Sequence, residues 1–194
     1  MDLLFATHNR HKAEEVRAIL IGHQFCIQTL SDRDFHEEVP ETGDTFEANA
    51  LQKARFIHAR FGCPVVADDS GLEVDALGGA PGVHSKRFSP DGTAESNNLL
   101  LLEKLTGVTV RTARFRCVVA LVGWGPDLIV EGACEGLIAP AGRGDGGFGY
   151  DPLFLADDMH TRSMAEMTAA EKNAISHRGR AFRALSQAIS TREG

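Results

Sequence analysis

The chain is poor in the groups that would cross-link it, carry it through a membrane or fasten it to a nucleic acid. Its 194 residues hold four cysteines, Cys26, Cys63, Cys117 and Cys134, widely spaced and never in a C-x-x-C pair. That spacing offers neither a zinc nor a redox motif. Without a secretory signal to place the chain in an oxidising compartment, free buried thiols are expected rather than two disulfides. The stretch Met1-Asp2-Leu3-Leu4-Phe5-Ala6 is too short for a signal core and has no basic lead. No apolar run reaches membrane-spanning length, so the expected location is cytoplasmic. Positive charge is also scarce. Twenty Lys and Arg face 27 Asp and Glu, for a net charge of −7, which excludes a broad basic nucleic-acid face. It leaves room for a nucleotide, whose phosphates need only a few local cations and a metal. No G-x-x-x-x-G-K-[ST] occurs, which excludes a P-loop, and no G-x-S-x-G, which leaves Ser70 without a nucleophile elbow. No repeat, low-complexity tract or linker interrupts the chain. Its length fits one large domain or two interlocked lobes.

What is present is organised around Pro64-Val65-Val66-Ala67-Asp68-Asp69-Ser70-Gly71. An apolar run, the pattern of a short buried strand, ends in two carboxylates, a hydroxyl and a glycine able to turn the backbone. Paired acids at such a strand end need pairing, hydration or a metal. The stretch therefore suits a hard-cation site with Asp69 as ligand or base, or else a simple turn cap. Strand side chains alternate between faces, so only one of the two acids can face an ion, and Asp69 is the choice.

Other segments supply partners. Leu3–Ala6 predicts a strand and Ala13, Val16, Ile19 and Leu20 a helix, with Thr7-His8-Asn9-Arg10-His11-Lys12 between them. A helix start of this kind takes a phosphate or is capped by Thr7 or Asn9; Lys12 tilts the choice toward phosphate. His8 and His11 lack the further ligands of a zinc set. Phe25–Leu30 predicts a second strand, and an acidic loop follows with Glu38 and Glu41. Asp44-Thr45-Phe46-Glu47 resembles a capping box opening a helix striped by Phe46, Ala50, Ala54, Ile57 and Phe61, with Asn49 and Lys53 on the stripe's border. Such a lysine snorkels to water or reaches over the core edge into a cleft. Further predictions are a turn-rich loop at 78–82, a helix at 94–105, a long strand at 112–122 and a hairpin partner at 128–134. The glycine-rich segment 140–152 leads into a strand rather than a helix, so its G-x-G-x-x-G match is not a dinucleotide fingerprint. Its Phe148 would stack on a purine or pack in the core. Thr168 and Glu171 make a capping box for a helix carrying Lys172. Ser176-His177-Arg178-Gly179 interrupts this helix before a last amphipathic one.

Acids able to hold Mg²⁺ together with scattered cations suit a polyphosphate. Six segments then stand in one order: Ala6–Lys12; Thr45-Phe46-Glu47-Ala48-Asn49-Ala50 with Lys53-Ala54; Ala67–Leu72; Gly78-Gly79-Ala80-Pro81-Gly82; Phe148-Gly149-Tyr150-Asp151-Pro152; and Ser176–Gly179. In this the chain resembles the inosine triphosphate pyrophosphatase family, the XTP/dITP diphosphatases, over essentially its whole length. The resemblance implies a two-lobed α/β fold on a long mixed, twisted sheet flanked by helices, with the site in the cleft between lobes, a homodimer, and Mg²⁺-dependent hydrolysis of ITP, dITP and XTP to the monophosphate and pyrophosphate. It implies that Thr7, His8, Asn9, Arg10, His11 and Lys12 bind phosphate and that Lys53 reaches the polyphosphate. Asp69 is then base and metal ligand, and Ser70 contacts substrate. Phe148, Gly149, Tyr150, Asp151, Lys172, His177 and Arg178 hold the nucleoside. Many members carry Glu-Glu before the Thr-Gly of the acidic loop, where this chain has Pro40-Glu41, so the loop's metal ligand is Glu41, or else that role falls to Glu38 or water. His8 stands where many members have Gly. A non-catalytic nucleotide sensor on the same scaffold, and a serine hydrolase using Ser70 and His177, are the competing classes.

Overall fold

In a computed structural model of the chain, residues 2–23 and 25–193 are described; Met1, with its part in the leader argument, lies outside them. Six strands form one mixed sheet in the order β2-β1-β3-β4-β5-β6. They are β1 (Asp2–Phe5), β2 (Cys26–Thr29), β3 (Val65–Val74), β4 (Thr112–Val122), β5 (Leu128–Ile138) and β6 (Phe154–Ala156). β1 runs parallel to both β2 and β3, whereas β5 and β6 are antiparallel. The helices are α1 (Arg10–Ile19), α2 (Phe46–Phe61), α3 (Ala94–Lys104), α4 (Ala169–Ile175) and α5 (His177–Glu193). The α/β class and mixed sheet expected from the sequence are those observed.

The chain divides into two compact units. The first comprises residues up to Asp69, Cys117–Gly132 and Arg178 onward; the second comprises Ser70–Arg116 and Ala133–His177. Each has its own core. In the first, Leu3 and Phe5 of β1, Val16 of α1, Val66 of β3, Cys117, Val119 and Leu121 of β4, and Phe182, Leu185 and Ile189 of α5 pack together. Phe5 meets Phe182 edge-on at 5.6 Å between ring centroids, a geometry the ring quadrupoles favour. In the second, Leu72, Val74, Leu101, Phe115, Ile138, Tyr150 and Phe154 make the core.

Several local expectations are corrected. Gly71 could turn the chain, but the alternation of Leu72-Glu73-Val74 equally reads as a continuing strand, and β3 does continue to Val74: Leu72 and Val74 are fully buried in the second core and that burial outweighs glycine's weak strand preference. α2 is capped by Thr45, whose side chain accepts the Ala48 N–H. The cap thus lies one residue later than an Asp44–Glu47 box would place it. At α4 the predicted box is present in both directions between Thr168 and Glu171. The interruption after α4 is a single extended residue, Ser176, whose N–H closes on the Lys172 carbonyl, so His177, Arg178 and Gly179 form the opening of α5 and not a gap. All four cysteines are free, but only Cys117 and Cys134 are buried. Cys26 is exposed because β2 is the edge strand.

Gly136 faces Ala156 across the β5–β6 pairing. A Cβ there would stand against the Leu155 carbonyl oxygen and 2.8 Å from Phe154 Cζ, where the antiparallel backbone cannot yield. Gly136→Ala is therefore expected to cost about 2 kcal/mol of overpacking, read as a lowered thermal midpoint; an unchanged midpoint would contradict the packing described.

Candidate active site

The alternation of β3 decides what each of its two acids meets. Asp68 points with Val66 toward α1 and α5. Its carboxylate lies 3.0 Å from Lys12 Nζ and 3.2 Å from Arg178 Nη2, with Cys117 Sγ at 3.8 Å. Arg178 also gives Nη1 to Glu15 at 2.7 Å, although its side chain is only 2 % exposed. Asp69 points toward α2. Its Oδ2 accepts Asn49 Nδ2 at 2.9 Å and its Oδ1 lies 3.6 Å from Lys53 Nζ. Lys53 donates in turn to Glu41 at 2.5 Å.

The two neighbouring carboxyls consequently titrate in opposite directions. Burial alone would push Asp68 up, but Lys12, Arg178 and Lys53 outweigh it and hold the group well below the usual carboxylate range. For Asp69, burial wins over the more distant Lys53 and Lys12 and over the Asn49 bond, so its carboxyl is raised. Burial would lower Lys53, yet Asp69, Asp68 and Glu41 keep its ammonium charged and its pKa raised. Burial would raise Glu41, and Lys53 overrides it, leaving that carboxyl lowered. A carboxylate committed to ion pairs is a fixed charge. One with a raised pKa is suited to take up a proton.

The remaining phosphate candidates gather less closely. Asn9 caps α1, accepting the Lys12 N–H at 3.2 Å, and Thr7 accepts the Asn9 N–H at 3.1 Å. Arg10 is exposed and paired with Glu14 one turn on, and His11 is exposed. His8 stacks on Phe35 and bonds the Glu37 carbonyl. Ser70 is half-buried within β3, and Glu38 is exposed whereas Glu41 joins the cluster through Lys53. Lys53 does not snorkel: it is 4 % exposed.

The nucleoside candidates form a second cluster, within the second unit. Lys172 Nζ donates to Asp151 Oδ2 at 2.6 Å and stands 4.8 Å from the centre of the Phe148 ring. The same Asp151 oxygen accepts the Phe148 N–H at 2.8 Å. Tyr150 is buried, its hydroxyl donating to the Ser85 carbonyl, and Asn98 donates to the Gly149 carbonyl at 3.0 Å. His177 stacks on Phe115 at 4.8 Å. Arg178, expected to hold the nucleoside, is bonded to Asp68 and Glu15. Phe148 is half-buried, neither sealed in the core nor fully open.

Sequence reasoning overlooked Glu15 and Asn49 as members of the first cluster. Glu15 lies one turn after Lys12 on the same face of α1, and Asn49 one turn before Lys53 on α2; that spacing is the available signal. Among the described residues no group of three or more His, Cys, Asp or Glu is gathered as a metal cage. Two hard carboxylates, Asp69 and Glu41, share one cation in Lys53. That donor set fits Mg²⁺, which is held by one or two carboxylates and by substrate phosphates rather than by a full protein cage.

The model of the Ham1 family matches residues 3–188 of the chain. A dITP/XTP pyrophosphatase of an Exiguobacterium species is 49% identical over 191 residues, covering 97% of each chain. Another from Porphyromonas gingivalis is 49% identical over 185 residues, 94% of each. The structure of a Ham1 protein from Coxiella burnetii superposes with a TM-score of 0.88 at 38% identity, covering 98% of this chain and 99% of that one.

Asp68→Asn would remove the carboxylate that Lys12 and Arg178 share, leaving Arg178 with Glu15 alone, at a cost of about 3 kcal/mol at neutral pH. The folded carboxyl ionises below its ordinary value of 3.8, so this contribution is full above that value and drains away as pH falls toward the folded pKa. Denaturant melts of both proteins are expected to differ fully at pH 7 and to begin converging only as pH falls below about 4; a gap that widens in acid would contradict the ion pairing.

Proposed function

The chain belongs to the Ham1 family, and from that premise we propose that it hydrolyses the non-standard purine nucleoside triphosphates ITP, dITP and XTP to the monophosphate and pyrophosphate. The observation that carries this reading is the division of labour between neighbouring carboxyls: Asp68 locked by Lys12 and Arg178, Asp69 raised and facing Lys53 and Glu41. Asp69 takes the proton of the attacking water as its oxygen bonds the α-phosphorus and the bond to the pyrophosphate oxygen breaks. Lys12, on the α1 start with Thr7 and Asn9, and Lys53 meet the charge on the triphosphate and on the leaving pyrophosphate. Asp69 and Glu41 are the residues that would hold Mg²⁺. When bound, Mg²⁺ supplies charge neutralisation on the phosphate oxygens.

The nucleoside falls to the second cluster. Phe148 offers a ring face to the purine, and Lys172, Asp151 and His177 offer polar groups. Ammonium and imidazole donors suit a 6-oxygen and are not satisfied by adenine's amine, and a site whose polar groups would be left unpaired rejects the analogue. Arg178, in this reading, serves through Asp68 and does not contact the base. The enzyme works as a homodimer in the cytoplasm, where nucleotide pools are cleansed so that deaminated purines stay out of DNA and RNA. No helix among the described residues is long and apolar enough to cross a membrane.

Incubation with ITP is expected to release pyrophosphate with Mg²⁺ and not with EDTA, and Asp69→Asn is expected to lower turnover by at least about a hundredfold while the protein stays folded. Release of orthophosphate, or near-normal turnover by the variant, would overturn the assignment. Binding of ITP without turnover would point to a nucleotide sensor, and turnover that persists in EDTA and fails in Ser70→Ala to a serine hydrolase.

A further inference from the structure

Asn49 is 1 % exposed, and both ends of its amide are engaged. Its Oδ1 accepts the Gly43 N–H at 2.7 Å, and its Nδ2 donates to Asp69 Oδ2 at 2.9 Å. A backbone N–H can only donate, so Gly43 fixes which way round the amide lies: oxygen to the loop, nitrogen to Asp69. The loop end is tied a second time. Gln52, one turn behind Asn49 on α2, accepts the Thr42 N–H and donates to the Thr42 hydroxyl, both at 2.9 Å. The approach of loop to helix is close: a Cβ on Gly43 would stand 2.7 Å from Ala48 Cβ and 3.0 Å from Asn49 Oδ1. One side-chain amide on a helix thus sets two things that are remote in sequence, the Asp69 carboxylate and the loop that carries Glu41.

We propose that Asn49 and Gly43 act as a positioning pair for the hydrolysis. Asn49 holds Asp69 Oδ2, so that the carboxylate's rotation is fixed and Oδ1 is turned toward Lys53. Gly43 holds Asn49, and it must be glycine because any side chain there would push the amide off Asp69. The inference rests on Asp69 being the base. It assigns to Asn49 no contact with substrate: its effect is on the reaction rate through the orientation of Asp69, because a misplacement of the order of 1 Å at a reacting group costs about a hundredfold. A purely structural tie between loop and helix would show itself in stability and leave the turnover of folded protein intact.

The test is steady-state hydrolysis of ITP in the presence of Mg²⁺ by the full chain and by Asn49→Ala, Gly43→Ala, the double variant and Asp69→Asn. Each single variant is expected to lose about a hundredfold in kcat with KM within about threefold of the parent, since the phosphate-binding cations are untouched. The double variant is expected to be about as slow as either single one, because both remove one constraint. Gly43→Ala keeps the buried amide and decides the matter alone if Asn49→Ala does not fold. Folded Gly43→Ala with kcat within about threefold of the parent, a loss confined to KM, or effects that multiply in the double variant would overturn the proposal. An inactive Asp69→Asn beside an unimpaired Gly43→Ala defeats the positioning pair only. A normally active Asp69→Asn defeats the base assignment and takes this inference with it.

Discussion

Everything proposed for this chain depends on the pleat of one strand. Because side chains along β3 alternate between faces, two identical neighbouring acids are delivered to different surroundings. Asp68 meets Lys12 and Arg178 at contact distance, whereas on the Asp69 side stand the Asn49 amide and, 3.6 Å away, the Lys53 ammonium. The same chemical group is therefore held low by its ion pairs at one position and raised by burial at the next. Nothing intrinsic to aspartate distinguishes them; the helices packed on each face do, α1 and α5 for Asp68 and α2 for Asp69.

The ion pairs also tie the chain's ends to its middle. Arg178 opens α5 and Glu15 lies in α1, more than 160 residues apart in sequence, and Asp68 joins both from β3. Burying charges is costly unless each is paired; here Asp68, Arg178, Lys12 and Glu15 satisfy one another. The arrangement holds Lys12 at the start of α1, where the helix N-terminus and its Asn9 cap already favour an anion.

Much of this was legible in the sequence because it rests on local rules. The strands and helices followed from periodicity, the α4 box from Thr168 and Glu171, and the parting of Asp68 from Asp69 from alternation along β3. Other features were hidden because tertiary packing decided them. Whether the chain turns at Gly71 or continues as a strand is undecided until Leu72 and Val74 are seen in a second core. Whether Lys53 snorkels to water or reaches inward is undecided until Asp69 and Glu41 are seen around it. His177 and Arg178 read as one unit, yet at the start of a helix successive residues diverge: His177 stacks on Phe115 while Arg178 turns to Asp68 and Glu15. Asn49 was named in a motif without a task, since only the fold brings Gly43 and Asp69 to its two ends.

The central claim is that water, relieved of its proton by Asp69, attacks the α-phosphorus. Hydrolysis of ITP in ¹⁸O-labelled water, with the products separated and weighed by mass spectrometry, tests it most directly. The account predicts one ¹⁸O in the inosine monophosphate and none in the pyrophosphate after a single turnover. Label in the pyrophosphate, from attack at the β-phosphorus, or label in orthophosphate, from attack at the γ-phosphorus, would contradict it.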